Sequence, residues 1–335
     1  MALFDLPLDD LRTYRPEVAE PADFDEFWRS SLDEVAQIDL DVRAEPFENH
    51  QKLVDAHDVS FAGWGGTRVR AWLLVPAGAT EPLSAVVSFI GYAGGREFPF
   101  ATPFTGAGHA HLVVDTRGQG WNHFTLFDRT PDSDPEAGAN SWPGVMTRGI
   151  AAPETYYYRR LYIDCLRAVQ VAKSLPQVDP SQVFVEGGSQ GGGLSIATAG
   201  LATLADVSLA GAMVDVPFLC HFARAITLTD ALPYKEISNY IRTSPHREQD
   251  VLRTLSYFDG VNFATRADIP AIFSVALMDQ VCPPSTVFAA YNQWGSAREE
   301  SSATTIEVYT HSGHEGGGPV QRWQQLVWLE GLVDG

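Results

Sequence analysis

The chain has 335 residues, 45% hydrophobic and 19% charged, with 42 acidic against 23 basic side chains and a formal charge of −19. That length accommodates a sizeable α/β core, and the acidity argues against nucleic acid and anionic membranes as partners, leaving solubility as its plainest use. Three cysteines without repeated spacing, no charged-then-apolar leader and no apolar run long enough to span a bilayer describe a soluble, cytoplasmic protein without a disulfide framework or zinc motif.

Residues 1–50 read as an acidic, proline-punctuated N-terminal extension carrying one helix near Asp23–Val35. There Phe24, Phe27, Trp28 and Leu32 recur at helical spacing, a packing face rather than a binding surface. His57–Ala62 and Thr67–Val75, joined by Gly63-Trp64-Gly65-Gly66, read as an antiparallel hairpin. The near-continuous apolar runs Ser84–Gly91, His111–Asp115, Gln182–Glu186, Ala210–Asp215, Ala271–Ala276 and Thr305–Tyr309 read as strands buried on both faces of a parallel sheet. Helical patterns separate them at about Pro99–Ala107, Thr155–Ser174, Ser189–Thr203, Pro284–Gly295 and Val320–Leu332. The alternation predicts an α/β fold: a doubly wound, mostly parallel sheet after the hairpin, in one domain over 1–335. Asn122–Ala152 is an aperiodic loop, over the site or at a subunit contact, and 218–262 reads as a helical insertion or lid.

One segment dominates the chemistry. Val183-Phe184-Val185-Glu186 runs into Gly187-Gly188-Ser189-Gln190-Gly191, and small helix-compatible residues follow. Strand, Gly-x-Ser-x-Gly and helix together make a nucleophile elbow, which holds a serine hydroxyl exposed on a strained turn. A side chain at position 187 or 191 would collide with the neighbouring strand or helix. N–H groups at the start of the new helix point at any oxyanion forming beside Ser189.

A serine hydroxyl needs a base, and the base needs a carboxylate to orient it. Folds with this elbow order the three as serine, acid, histidine. Asp279 lies just past strand Ala271–Ala276, where ligand-facing groups of open parallel sheets collect, and too far ahead of Pro283-Pro284 to cap the next helix. His311 and His314 both follow the last strand. His314 sits among glycines just before the final helix and is preferred as the base, with His311 as a structural residue. The second oxyanion donor belongs to the loop after Ser84–Ile90, so the backbone N–H of Tyr92 joins that of Gln190 as candidates.

Three motifs then resemble one family. Arg117-Gly118-Gln119 after the strand ending at Asp115, the elbow at 187–192, and His314-Glu315 near the C-terminus are together similar to carbohydrate esterase family 7, the acetyl xylan esterases and cephalosporin C deacetylases of the α/β-hydrolase superfamily. The Arg-Gly-Gln element discriminates, since the serine motif is widely shared. Pro153–Arg160 and Leu277–Ser285 look like the same family, and the similarity runs from about Phe24 to Leu329. The resemblance implies a Ser189, Asp279, His314 triad with Tyr92 and Gln190 as the oxyanion hole. It implies structural roles for Arg117, Gln119 and Glu315, and removal of acetyl groups from small carbohydrate and antibiotic esters. It further implies no cofactor or metal, a cytoplasmic location, and a hexamer whose sites face an interior cavity. The Asp/Pro-rich stretch Thr130–Ala139 and the lysine-poor, acidic composition depart from the family and bear on subunit contacts and cavity entrance.

The triad by itself also fits a serine peptidase or thioesterase of the same fold, or a binding protein in which the site only holds a ligand. No propeller-like domain is present to supply a peptide groove, and a binding protein of this type usually lacks one member of the triad.

Overall fold

The computed structural model describes residues 3–132, 144–297 and 303–334. The N-terminal extension carries α1 (Leu8–Thr13) and α2 (Phe24–Ala36), followed by three strands, β1 (Arg43–Phe47), β2 (Val54–Ala62) and β3 (Arg68–Pro76). Then come β4 (Leu83–Phe89), the single turn α3 (Pro103–Gly106), β5 (Ala110–Val114), α4 (Tyr157–Ser174), β6 (Val178–Gly188), α5 (Gln190–Leu204) and β7 (Gly211–Asp215). Four helices occupy the predicted insertion: α6 (Phe222–Leu228), α7 (Tyr234–Thr243), α8 (Glu248–Ser256) and α9 (Gly260–Ala264). β8 (Ala271–Ala276), α10 (Pro284–Gln293), β9 (Thr304–Tyr309) and α11 (Gly318–Val333) follow.

Among the described residues nine strands form one sheet in the order β1-β2-β3-β5-β4-β6-β7-β8-β9. β1, β2, β3 and β5 pair antiparallel, and the five contacts from β5 through β9 are parallel. The elbow strand β6 is therefore central, and its C-terminal end opens among those of β4, β7 and β8. α5 is apolar nearly all round, whereas α4 also buries Arg160, Asp164 and Arg167, and both are buried along most of their length, as expected of helices packed between a sheet and further layers.

The predicted hairpin is real but is widened by β1, whose exposed Arg43-Ala44-Glu45-Pro46 carries no alternation to announce a strand. Its proline is tolerated because β1 is an edge. The helix expected over Pro99–Ala107 is confined to Pro103–Gly106. Residues just before it are held extended by the side chains of Asn49, bonded to Pro99 O, and Gln51, bonded to Ala101 N. Thr102 then starts the turn by exchanging hydrogen bonds with Thr105. α2 does bury its aromatic face: Trp28 is wholly enclosed by Tyr162, Phe258 and Phe263, with its indole N–H on Tyr257 O at 3.0 Å. Part of the Thr130–Ala139 stretch, and the middle of the 122–152 loop, lie outside the described residues. Among the described residues no helix is long and apolar enough to cross a membrane.

Glycine is obligatory where β6 meets α5. A Cβ on Gly187 would run into the backbone of Gly191, and one on Gly191 into the carbonyl of Phe89 on β4. Gly331, by contrast, faces open space on α11. We expect Gly191→Ala to cost about 1–3 kcal/mol or more in urea unfolding, whereas Gly331→Ala is neutral or stabilising by up to about 1 kcal/mol. Equal effects at the two sites would contradict this account of the elbow.

Candidate active site

Ser189 stands between the end of β6 and the first residue of α5 with φ 56° and ψ −120°, a conformation that costs a non-glycine residue of the order of 1–3 kcal/mol. Three backbone hydrogen bonds hold it there: Ser189 N–H to Asp215 O (2.9 Å), Gly193 N–H to Ser189 O (3.1 Å) and Phe218 N–H to Ser189 O (2.9 Å). The turn is thus clamped to β7 and to the start of the insertion, and the serine stays partly exposed.

Beyond β8 and β9 the chain keeps the two strands zipped, with Leu277 N–H on Tyr309 O and Met278 N–H on Ser312 O, both 3.1 Å. This brings the loop holding Asp279 against the loop holding His314. His314 Nδ1 lies 2.8 Å from Asp279 Oδ2. A carboxylate only accepts, so Nδ1 carries the proton and Nε2 is left as the free acceptor. The other Asp279 oxygen accepts the N–H groups of Val281 (2.8 Å) and Cys282 (3.0 Å), and the carboxylate is fully buried. His314 is one-third exposed. His311 is exposed at the surface.

Ser189 and His314 line one cleft of about 390 Å³ together with Gly188, Asp215, Gly318 and Arg322. Among the described residues no hydrogen bond joins the Ser189 hydroxyl to His314, and the hydroxyl lies near enough to the Cys282 thiol to bear on its protonation. Catalytic hydrogen bonds are commonly long before substrate arrives. Larger hollows, of about 490 and 640 Å³, lie elsewhere on the surface and contain none of these residues, so size alone does not locate the site. Burial, reinforced by Glu186, pushes the Asp215 carboxyl up to about 7, so a titrating acid lies in the cleft wall.

The two proposed oxyanion donors lie on adjoining loops. Gln190 opens α5, so its N–H has no partner within the helix. The loop after β4 is pressed against the elbow, with the Gln190 side-chain amide donating to Ile90 O at 3.1 Å. Gln119 ties the two loops together. Its carbonyl accepts Ala93 N–H at 2.7 Å, and its amide donates to Gln190 Oε1 (2.9 Å) and the Tyr157 hydroxyl (3.0 Å). Tyr158 adds a second donor to Gln190 Oε1 at 2.9 Å.

Arg117 lies deeper, 1% exposed. It makes a two-pronged ion pair with Asp164 of α4 (2.7 and 2.9 Å) and donates to Trp64 O at 3.2 Å. Asp164 also accepts Trp64 N–H at 2.7 Å, so this pair pins the β2–β3 connection to α4. Glu315 is exposed and closes its own loop by accepting Gly313 N–H at 3.0 Å.

Two neighbours went unforeseen in the sequence. Glu236, on the insertion helix α7, accepts the Tyr92 hydroxyl at 2.6 Å and Met146 N–H at 3.2 Å. Burial raises its carboxyl above the usual range. Cys282 sits within the Asp279 turn and is wholly buried. No motif marks a glutamate that arrives from an insertion more than a hundred residues away, whereas Cys282 could have been noticed from its spacing to Asp279.

Tyr92→Phe and Glu236→Gln should therefore be coupled. A double-mutant cycle in urea unfolding is expected to return about 1.5–3 kcal/mol, the range for a hydrogen bond to a charged group. Additive effects would mean that the contact contributes nothing.

The sequence matches the family model described as acetyl xylan esterase (AXE1) over residues 1–332. It is 26% identical over 333 residues to the acetyl esterase Axe7A of Xylanibacter ruminicola, covering 95% of this chain and 69% of that protein. The acetyl xylan esterase from Paenibacillus sp. R4 superimposes with a TM-score of 0.86 at 36% identity, covering 97% of this chain and 99% of the other. Acetyl xylan esterase 1 from Thermoanaerobacterium sp. JW/SL YS485 gives 0.83 at 31%, with the same coverage. An acylaminoacyl peptidase of Pyrococcus horikoshii, at 12% identity and a TM-score of 0.59, shares the fold alone. With an α/β-hydrolase architecture and both sequence and structure matched almost end to end, this chain belongs to the acetyl xylan esterase family.

Proposed function

We propose that the protein is a serine carboxylesterase that removes acetyl groups from small acetylated sugars such as xylo-oligosaccharides, through an acetyl-enzyme on Ser189. The observation that carries this reading is the 2.8 Å bond between His314 Nδ1 and buried Asp279, beside an elbow serine, in a member of the acetyl xylan esterase family.

Ser189 Oγ attacks the acetyl carbonyl while His314 Nε2 takes its proton. Asp279 keeps the imidazole in the required tautomer and stabilises the imidazolium. The N–H groups of Gln190 and Tyr92 receive the oxyanion, and Gln119 keeps those donors in register. Imidazolium then protonates the departing sugar oxygen, and water clears the acetyl group by the same steps in reverse. Each step is served by protein side chains and backbone, so no cofactor is needed. Cephalosporin C, an acetyl ester of comparable size, belongs within the same substrate class.

We read the chain as cytoplasmic and homo-oligomeric. Its cysteines are all free and buried, in keeping with a reducing compartment.

Ser189→Ala is expected to lower kcat on p-nitrophenyl acetate by about 10⁶-fold, the scale of nucleophile loss in a serine protease triad. Asp279→Asn should lower it by about 10⁴-fold. A serine variant within about tenfold of the parent would remove Ser189 from the reaction. Rates on acetate, butyrate and octanoate esters and on a peptide anilide separate the alternatives: acetyl preference supports the reading, and anilide cleavage replaces it with a peptidase. Gln119→Ala, which touches neither nucleophile nor base, should lower kcat by about 10–100-fold, somewhat less than loss of an oxyanion donor itself. Its labelling by a fluorophosphonate should slow in step, whereas unchanged kcat would leave Gln119 with a purely structural part.

A further inference from the structure

The turn that presents Asp279 also presents sulfur. Because Asp279 Oδ1 accepts the N–H of Cys282, three residues later, the chain curls back and returns the Cys282 side chain towards the carboxylate. One Asp279 oxygen, the Cys282 Sγ and a ring nitrogen of His314 all lie within 4.8 Å of one another. No other set of three histidine, cysteine or acidic side chains converges so closely among the described residues. Asp279 and Cys282 are fully buried and His314 opens onto the cleft, so an ion can enter only from the Ser189 side.

We propose that Asp279, Cys282 and His314 form an inhibitory site for zinc(II) and other thiophilic divalent ions. The donor set is one sulfur, one imidazole nitrogen and one carboxylate oxygen. Tetrahedral zinc takes such ligands at about 2.0–2.3 Å and keeps a fourth position open, which here faces the Ser189 hydroxyl or a water in the cleft. The edges of such a tetrahedron are about 3.3–3.8 Å, so separations of up to 4.8 Å close by about 1 Å, while the 2.8 Å contact between His314 Nδ1 and Asp279 opens by about 0.5–1 Å if those two atoms are the ligands. Backbone N–H groups on Asp279 Oδ1 already hold the carboxylate from outside, as metal-binding carboxylates require. Sulfur selects against magnesium and calcium, which prefer oxygen ligands.

Binding exchanges the Cys282 proton for the metal: the S–H bond breaks, an S–Zn bond forms and that proton goes to solvent, while the imidazole stays neutral with its proton on the nitrogen that does not bind zinc, and nothing is oxidised or reduced. The resting thiol is neutral, because burial and then the nearby Asp279 charge push its pKa well above the usual range. A His314 nitrogen committed to zinc no longer serves proton transfer from Ser189. Occupancy and esterolysis exclude each other, and a chelator restores activity. The inhibition rests on the esterase reading above; the binding does not.

The test uses the full chain stripped with EDTA. Equilibrium dialysis should find one zinc bound per chain, and cobalt(II) in its place should give a thiolate-to-cobalt charge-transfer band. In Cys282→Ser that band should vanish. The zinc concentration for half-inhibition, each variant measured against its own metal-free rate, should rise by at least about 100-fold, since loss of an outer-shell partner alone costs 10–100-fold in affinity. Cys165→Ser, a change within α4, should leave both readouts alone. Absence of the cobalt band in the parent, or equal zinc sensitivity in parent and Cys282→Ser, overturns the site. Should Cys282→Ser not fold, the parent cobalt spectrum and protection of Ser189 from a fluorophosphonate by zinc decide the matter. A protein with no esterase activity that still shows the cobalt band would sink the functional reading and leave the metal site standing.

Discussion

The left-handed backbone at Ser189 is the constraint on which the rest of the site depends. No ordinary turn presents a side chain at the head of a helix while leaving the following N–H free beside it. That conformation is unfavourable alone, so its neighbours must over-determine it. They do so by close packing of Gly187 against Gly191, by contact between Gly191 and the Phe89 carbonyl, and by three backbone hydrogen bonds, one from α5 itself and two from further segments. The hydroxyl and the Gln190 N–H belong to one rigid turn, so neither can drift without the other.

Around that turn the polar side chains act as struts. Buried amides are costly unless every donor and acceptor is used, and Gln119 and Gln190 use theirs on each other, on two tyrosine hydroxyls and on the backbone of the loop after β4. Behind them Arg117, Arg148 and Arg160 share the carboxylates of Asp132 and Asp164. Three guanidiniums held by two carboxylates leave little freedom, since removing one partner from such a buried cluster strands an uncompensated charge. The distinctive Arg-Gly-Gln motif is thus divided in its work. Its arginine anchors α4 to the β2–β3 connection, and its glutamine aligns the loops beside the serine.

The helices between β7 and β8 contribute to the site as well as covering the sheet. Phe218 N–H clamps the serine carbonyl at their start, and Glu236 reaches from α7 to the Tyr92 hydroxyl. Asp259 secures the far end by accepting the N–H groups of His221, Phe222 and Val261, with burial pushing its carboxyl up to about 6. The insertion is therefore tied to the elbow and to the loop carrying Tyr92 by bonds that a freely opening lid would have to break.

Several features were readable from sequence because they are local. The glycine spacing at 187 and 191 dictates a tight strand–helix crossing, uninterrupted apolar runs dictate buried parallel strands, and the order of Ser189, Asp279 and His314 follows from which strand ends can face one cleft. Local signals failed where the decisive partner is remote. Strand β1 has no alternation and is defined only by its pairing to β2. The helix expected from Pro99 is shortened by Asn49 and Gln51, which belong to another loop. Glu236 carries no motif, and its meaning arises from what the fold sets beside it. Composition and spacing determined the parallel strands, the elbow and the chain order of Ser189, Asp279 and His314. Tertiary structure alone decided which carboxylate buttresses Tyr92, because that contact joins segments whose sequences place no demand on one another.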